Sequence, residues 1–277
     1  MNQTVQQLLE RSNRLGSNPK NTNYAGGNTS AKGVGQDPAT GKDIELVWVK
    51  GSGGDLGTLK EQGLAVLQLD RVRALKNVYQ GVDTEDDMVA AFDYCLHGRG
   101  GAAPSIDTAM HALVDAAHID HLHPDSGIAI ATSVDGERLT AEIFGDKVVW
   151  VPWRRPGFQL GLDIEAIKQG NPQAIGCILG GHGITAWGAT SAESEQNSLW
   201  IIETAQAHID SVAAKADNHA FGAVVSGFEA LPVADRHERA AALAALIRGL
   251  ASTDKPMIGS FSDAPEVLDF LSRAKLT

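Results

Sequence analysis

His118-Ile119-Asp120-His121-Leu122-His123-Pro124-Asp125 is the stretch on which the reading of this 277-residue chain turns. In an extended segment, side chains two apart point to one face, so His121 and His123 converge on one point as metal ligands must. A surface His-x-His is the bland alternative, and two further features weigh against it. Downstream, Gly180-Gly181-His182-Gly183 follows the apolar run Ile175-Gly176-Cys177-Ile178-Leu179, the pattern of a buried strand ending in a turn. Upstream, Pro104-Ser105-Ile106-Asp107 places a carboxylate at the opening of a helix. Three histidines and one carboxylate, His121, His123, His182 and Asp107, suit a divalent zinc-like cation.

Composition narrows the partners. A 43% hydrophobic content over this length supports a substantial core, in one large domain or a domain with an appendage. The formal net charge of -11 argues against a nucleic-acid binder, because phosphate backbones are gripped by clustered Lys and Arg. A small phosphorylated molecule stays open, since backbone N–H groups and a few hydroxyls hold one phosphate without a basic surface. Cys95 and Cys177 sit in apolar settings, as free thiols in a reducing cytoplasm do. Met1 to Leu9 is polar, without a signal-peptide core. No apolar run approaches the roughly 20 residues that span a bilayer. A cytoplasmic protein with no membrane partner is the expectation.

Along the chain, Val5, Leu8, Leu9 and Leu15 stand at helical spacing over residues 3 to 15, and a turn-rich segment follows from Gly16 to Gly27. A strand is predicted over Ile44 to Val49. A helix is predicted from Glu85 to His97 with Thr84 as its cap, and another over Ile106 to Ala117 with Asp107, His111 and Asp115 on one stripe. Short apolar runs at Gly127 to Thr132, Val148 to Val151 and Ile175 to Leu179 mix with helical stretches at Ile164 to Gln169 and Ala192 to Ala214. Interleaved strands and helices imply α/β layering with helices flanking one sheet. Residues 1 to 215 form the expected catalytic domain. Residues 216 to 277, with helices over Ala234 to Ala251 and from Pro265 to about Lys275, read as a C-terminal helical extension.

The order of motifs Gly27-Asn28-Thr29-Ser30, Gly51-Ser52-Gly53, Pro104-Ser105-Ile106-Asp107, His121-Leu122-His123 and His182-Gly183 resembles the class II aldolase and adducin-related family over roughly residues 1 to 215. The stretches Asn23 to Lys32, Trp48 to Gly57 and Val151 to Gly157 are similar to the aldolase half of bifunctional rhamnulose-1-phosphate aldolase/short-chain alcohol dehydrogenases. No glycine-rich dinucleotide fingerprint lies within residues 216 to 277, so a stand-alone aldolase, a truncated product and an expressed domain are the alternatives. The resemblance implies a mainly antiparallel central sheet and cleavage of L-rhamnulose 1-phosphate to dihydroxyacetone phosphate and L-lactaldehyde. A pentulose-phosphate 4-epimerase and a non-catalytic adducin-like scaffold are the competing readings. Retention of the three histidines with Asp107 argues against the scaffold.

The resemblance further implies that the substrate C2 carbonyl and C3 hydroxyl oxygens meet the cation, and that Asp107 shuttles a proton at the carbon centre. The best-known single-function members carry Glu there, and Asp reaches roughly 1.5 Å less. Asp107 is therefore either drawn closer to the metal or acts as a base without ligating it. For the phosphate, Gly26, Gly27 and Asn28 allow an anion-binding nest. Gly51-Ser52-Gly53 offers a second turn, with Ser52 and Gly53 as candidates, and Ser105 adds a hydroxyl. Ile106 replaces a family hydroxyl, with Thr108 a speculative substitute. His111 is either a packing residue or a support for Asp107. No tyrosine, Tyr24, Tyr79 or Tyr94, falls where the family's general acid does. A cyclic homo-oligomer, a tetramer, is expected, with Arg154 and Arg155 near the subunit boundary.

Overall fold

The computed structural model describes residues 2–98, 101–215 and 224–273. Two compact units divide the chain, Met1–Ile209 and Asp210–Thr277. The first holds seven strands: β1 (Asn28–Gln36), β2 (Asp43–Lys50), β3 (Leu64–Gln68), β4 (His118–Leu122), β5 (Val148–Val151), β6 (Gly176–Leu179) and β7 (Gly183–Gly188). They form one sheet in the order β3-β2-β1-β4-β7-β6-β5. Only β5 and β6 pair in parallel, and every other neighbouring pair is antiparallel.

The helices are α1 (Gln3–Ser17), α2 (Leu69–Ala74), α3 (Glu85–Ala91), α4 (Thr108–Leu113), α5 (Asp125–Ala131), α6 (Gly136–Phe144), α7 (Phe158–Gly170), α8 (Ser191–Lys215), α9 (Val233–Ala251) and α10 (Pro265–Leu271). The sheet is covered on both faces, and the composition of β2 shows why. Leu46 and Trp48 pack with Val5 and Leu8 of α1. Val47 and Val49 turn to the other side, where they meet Val72 of α2, Met88 of α3 and Ala109 of α4. A strand buried on both faces reads as a continuous apolar run, and Leu-Val-Trp-Val is one. Toward the other edge, Leu122 and Ile184 pack with Ile130 of α5, Phe144 of α6 and Ile201 of α8. Ile119 and Cys177 face Met110 of α4 and Ile164 of α7. The result is the expected helix-sheet-helix layering around a mainly antiparallel sheet.

Several boundaries differ from the sequence reading for local reasons. The apolar run Gly127 to Thr132 lies in helix α5 and its cap, because Asp125 sits in its first turn and Ile130 and Ala131 fold onto the core as a helical stripe. The helix at Ile106 to Ala117 is shorter, Thr108–Leu113, since Val114 turns extended at ψ 127 and leads into β4. The helix from Glu85 to His97 is α3 followed by a 3-10 turn at Phe92–Cys95, and the Thr84 hydroxyl donates to the Gly81 carbonyl at 2.8 Å instead of capping α3. β1, rich in Gly and polar residues, carried no apolar alternation to reveal it.

In the second unit, Arg236 of α9 pairs with Asp263 at 3.0 Å, and Val224 bridges Arg273. The predicted end of the last helix near Lys275 lies outside the described residues. Among the described residues no helix is long and apolar enough to cross a membrane.

Candidate metal centre

β4 lies between β1 and β7 near the middle of the sheet, and its period-two alternation sorts its side chains. Ile119 and His121 face α4 and α7. His118 and Asp120 face α1 and α8. His123 follows directly after the strand, and His182 occupies the turn between β6 and β7. The glycines around His182 are sterically required. Gly181 has a φ of +69°, and a Cβ there would come within 2.7 Å of Trp153 Cδ1. A Cβ on Gly183 would lie 2.6 Å from the Leu122 carbonyl oxygen and 2.9 Å from His123 Cδ2, so this glycine makes room for the His123 ring.

His121, His123 and His182 converge, with one candidate ligand atom from each lying within 4.8 Å of the others. His123 Nε2 is 3.0 Å from His121 Nε2 and 3.1 Å from His182 Nε2. The hydrogen bonds behind the rings fix what these atoms are. His121 Nδ1 donates to the Ile184 carbonyl at 2.9 Å, and His123 Nδ1 donates to Asn23 Oδ1 at 3.3 Å, which leaves Nε2 of both as lone pairs. Two lone pairs facing each other at this distance repel unless a cation lies between them. Three nitrogens on a tetrahedral zinc stand about 3.3 Å apart, given Zn–N near 2.05 Å. The donor set therefore fits a divalent cation held by three neutral imidazoles. Burial keeps them neutral: it depresses His121 far below the usual histidine range and His123 to about 4, and it lowers His182 as well. Nδ1 of His182 is buried without a partner.

Asp107 is not among the atoms that converge within 4.8 Å, yet its charge acts on His123, His182 and Lys50. One of its oxygens is fully engaged. Oδ2 accepts from Asn28 Nδ2 at 2.8 Å and from the Ser105 hydroxyl at 3.3 Å, while Oδ1 is buried without a hydrogen bond. Asn28 is held in turn by His111, whose Nε2 lies 2.5 Å from Asn28 Oδ1. His111 is fully buried, and burial lowers it to about 3. Of the two readings of His111, the contacts favour support for Asp107.

Lys50 was not singled out by the sequence reading. It is 3% exposed, and its ammonium makes no hydrogen bond or ion pair among the described residues. Burial lowers its pKa, while Asp107 and Asp55 favour the charged form. A lysine with a buried stem and an ammonium that has no protein partner is placed to meet an anion. The available signal was a lysine ending a buried strand directly before Gly51-Ser52-Gly53.

The other phosphate candidates divide. Gly27 has a φ of +69° and Gly53 of +74°, left-handed turns as expected. Several backbone donors are already engaged, however: Gly26 N–H on Asn23 at 3.0 Å, Gly51 N–H on Gly63 at 2.9 Å and Ser52 N–H on Ala103 at 2.9 Å. The Asn28 side chain belongs to the Asp107 network. Ser52 and Gly53 are exposed, with the Ser52 hydroxyl free of protein partners among the described residues. The Thr108 hydroxyl is buried without a partner.

Behind β4, the opposite face carries a buried ion pair, Arg11 Nε to Asp120 Oδ1 at 2.9 Å, with both side chains 0% exposed. Arg11 also donates to His118 Nδ1 at 3.0 Å, Ser191 Oγ at 2.8 Å and the Ser30 carbonyl at 2.7 Å. Ser194 and Ser198 donate to Asp120 Oδ2 at 2.8 and 3.1 Å. His118 is thus structural. Arg154 pairs with Asp163 at 2.9 Å and Arg155 with Asp86.

A three-histidine group at the end of a central antiparallel strand, with a carboxylate and the Lys50 ammonium acting on it, is the candidate metal site of this α/β fold. Residues 6–209 match the Class II Aldolase and Adducin N-terminal domain, and the chain belongs to that family. It is 37% identical over 269 residues, 97% of its length, to the uncharacterized oxidoreductase YuxG of Bacillus subtilis (strain 168), and spans 38% of that relative. The N-terminal class II aldolase domain of a conserved protein from Thermoplasma acidophilum superposes with a TM-score of 0.68 at 28% identity, covering 76% of this chain and 95% of that one. A sugar-phosphate aldolase from Thermotoga maritima shares the fold, with a TM-score of 0.56 at 13% identity over 76% of this chain and 95% of that one.

Proposed function

We propose that this chain is a metal-dependent aldolase that cleaves a ketose 1-phosphate, L-rhamnulose 1-phosphate, to dihydroxyacetone phosphate and L-lactaldehyde, with Zn2+ on His121, His123 and His182. The observation that carries the reading is the placement of Asp107 Oδ1, buried and unbonded, beside three converging imidazoles and the unpaired Lys50 ammonium. Family membership supports an aldolase or epimerase type of chemistry. The cation would supply polarisation of the substrate carbonyl and offset the negative charge that develops on its oxygen. Asp107 exchanges a proton at C3. In the cleavage direction the C4 hydroxyl loses its proton, C3–C4 breaks with its electron pair left on C3, and protonated Asp107 returns a proton to that carbon. Lys50 and the Ser52 hydroxyl hold the phosphate, with Gly53 letting the backbone approach. The cluster lies at a sheet end, and His121 is fully buried, so water is kept from its rear.

The name of the Bacillus subtilis relative, of which this chain matches 38%, supports a reading in which an aldolase-like part is joined to an oxidoreductase part in that protein. The group that takes the C4 proton is assigned to a neighbouring subunit of a homotetramer, because no tyrosine makes a hydrogen bond to a residue of this site among the described residues. Tyr24 and Tyr94 are exposed, and Tyr79 donates to Glu85 at 2.7 Å. Incubating the zinc-loaded protein with a panel of ketose 1-phosphates tests the proposal. Dihydroxyacetone phosphate should accumulate fastest from L-rhamnulose 1-phosphate. Interconversion of pentulose phosphates without any triose phosphate would favour the epimerase, and no turnover with no bound metal would favour the scaffold. Light scattering showing a monomer with full activity would remove the shared site.

A further inference from the structure

Each link between Ser30 and Asp107 is fixed in direction by the one after it. An ionised carboxylate only accepts hydrogen bonds, so Asn28 must present Nδ2 to Asp107 Oδ2, at 2.8 Å. The Asn28 carbonyl then faces His111, and at 2.5 Å His111 Nε2 must carry the proton. Nδ1 of the neutral ring is left as an acceptor, and the Ser30 hydroxyl, 2.7 Å away, is its donor. Ser30 and His111 are 0% exposed and Asn28 4%, so water does not substitute for any member. Ser30 and Asn28 lie on one face of β1, and His111 stands one helical turn after Asp107 on α4. The chain therefore ties the strand beside β4 to the carboxylate through a side chain that is not one of the three converging imidazoles.

We infer that His111 is a positioning residue: locked as the Nε2–H tautomer by the Asn28 carbonyl and steadied by Ser30, it holds the Asn28 amide so that Asp107 Oδ2 stays a pure acceptor and the transferred proton resides on Oδ1. A proton on Oδ2 would confront the Asn28 N–H, so protonated Asp107 carries it on the oxygen that has no protein partner. In cleavage the Oδ1–H bond breaks, a C–H bond forms with the electron pair left on C3, and the carboxylate returns to its fully accepting state. Without His111 the amide is free to turn its carbonyl toward protonated Asp107, which would draw the proton onto Oδ2 and away from the substrate carbon. This inference rests on the aldolase reading for its kinetic consequence and on geometry alone for the tautomer.

Two measurements separate these. Nitrogen-15 NMR of the histidine side chains in the intact zinc-loaded protein should show His111 as the Nε2–H tautomer, and Asn28→Ala, which removes the carbonyl that fixes it, should mix the tautomers. An Nδ1–H tautomer in the unmodified protein overturns the inference whatever the substrate. In kinetics, His111→Leu should lower kcat by about 10- to 100-fold with KM and bound zinc little changed, and His111→Gln, which keeps a donor for Asn28, should recover most of the loss. In an Asn28→Ala background His111→Leu should cost nothing further, because its effect passes through Asn28. Equal losses in both backgrounds, or no recovery in His111→Gln, would make His111 a packing residue. Should His111→Leu fail to fold, Ser30→Ala carries the same cycle. A wild-type protein that turns over no ketose phosphate but shows the expected tautomer would refute the aldolase reading and leave the hydrogen-bond assignment standing.

Discussion

Removing the buried guanidinium with Arg11→Met should destabilise the protein more than any single change outside the metal centre. The arithmetic starts at Asp120, whose Oδ1 would lose its ion-pair partner while Oδ2 kept the two serine hydroxyls. Three further hydrogen bonds from Arg11, to His118, Ser191 and the Ser30 carbonyl, would go at the same time. Breaking a fully buried pair from one side costs about 3–5 kcal/mol, most of it the unpaired charge left behind. At about 2–4 °C per kcal/mol for a domain of this size, Tm should fall by roughly 10 °C or more. Urea unfolding of the zinc-free protein at neutral pH measures the loss without interference from metal binding. The double variant Arg11→Met/Asp120→Leu should be less destabilised than the sum of the two single changes, since neither charge is then stranded. A loss below about 1 kcal/mol in Arg11→Met would refute the reasoning, because it would mean that water reaches Asp120 and that the rear of β4 is not the dry, fully paired layer described.

Asp107→Asn keeps hydrogen-bonding capacity but removes the group that exchanges the proton at C3, so kcat should drop by about a hundredfold or more. Zinc content, measured by elemental analysis, should change far less, because Asp107 stands outside the converging ligand atoms; full activity would leave Asp107 a structural carboxylate. Lys50→Met should raise KM for the phosphorylated substrate by about tenfold or more, the worth of a charged hydrogen bond of about 1.5–3 kcal/mol, and an unchanged KM would move the phosphate elsewhere. Stability should fall on acidification because His111 and His118 are neutral in the folded protein, depressed by burial to about 3 and about 4. Below the ordinary pKa of about 6.5 the unfolded chain binds more protons, so the stabilisation present above that pH is lost at about 1.4 kcal/mol per pH unit for each group. Urea midpoints compared at pH 7 and pH 5 check this, and equal values would mean that both rings gain protons in place.

What could be read in the sequence was set by how local its cause was. His121 and His123 are separated by the strand period, and His182 sits between glycines that its turn requires, so the three ligand candidates carried their own signal. Leu46 to Val49 announced a strand because both faces are covered. β1 did not, since Asn28, Ser30 and Lys32 face polar partners on α4 and on the loop after it: His111, Asp107 and the Val114 carbonyl. That long-range pairing also hid the role of His111. Gly127 to Thr132 read as a short apolar run because its apolar residues stand together, and only the sheet beneath decides that they form helix α5 and its cap. Lys50 stood unnoticed because a lysine is ordinarily a surface residue, and its burial depends on loops about 50 residues apart in sequence. Arg11 was unreadable for the same reason, since its partner Asp120 comes from the middle of the chain.

The central claim is that His121, His123 and His182 hold one divalent cation, and zinc K-edge absorption on the zinc-loaded protein, with elemental analysis of the His182→Ala variant, tests it most directly. The account predicts one zinc per chain, three nitrogen ligands at about 2.0–2.1 Å, and loss of that zinc in His182→Ala. A shell dominated by sulfur or by water alone, or an unchanged zinc content in the variant, would contradict it.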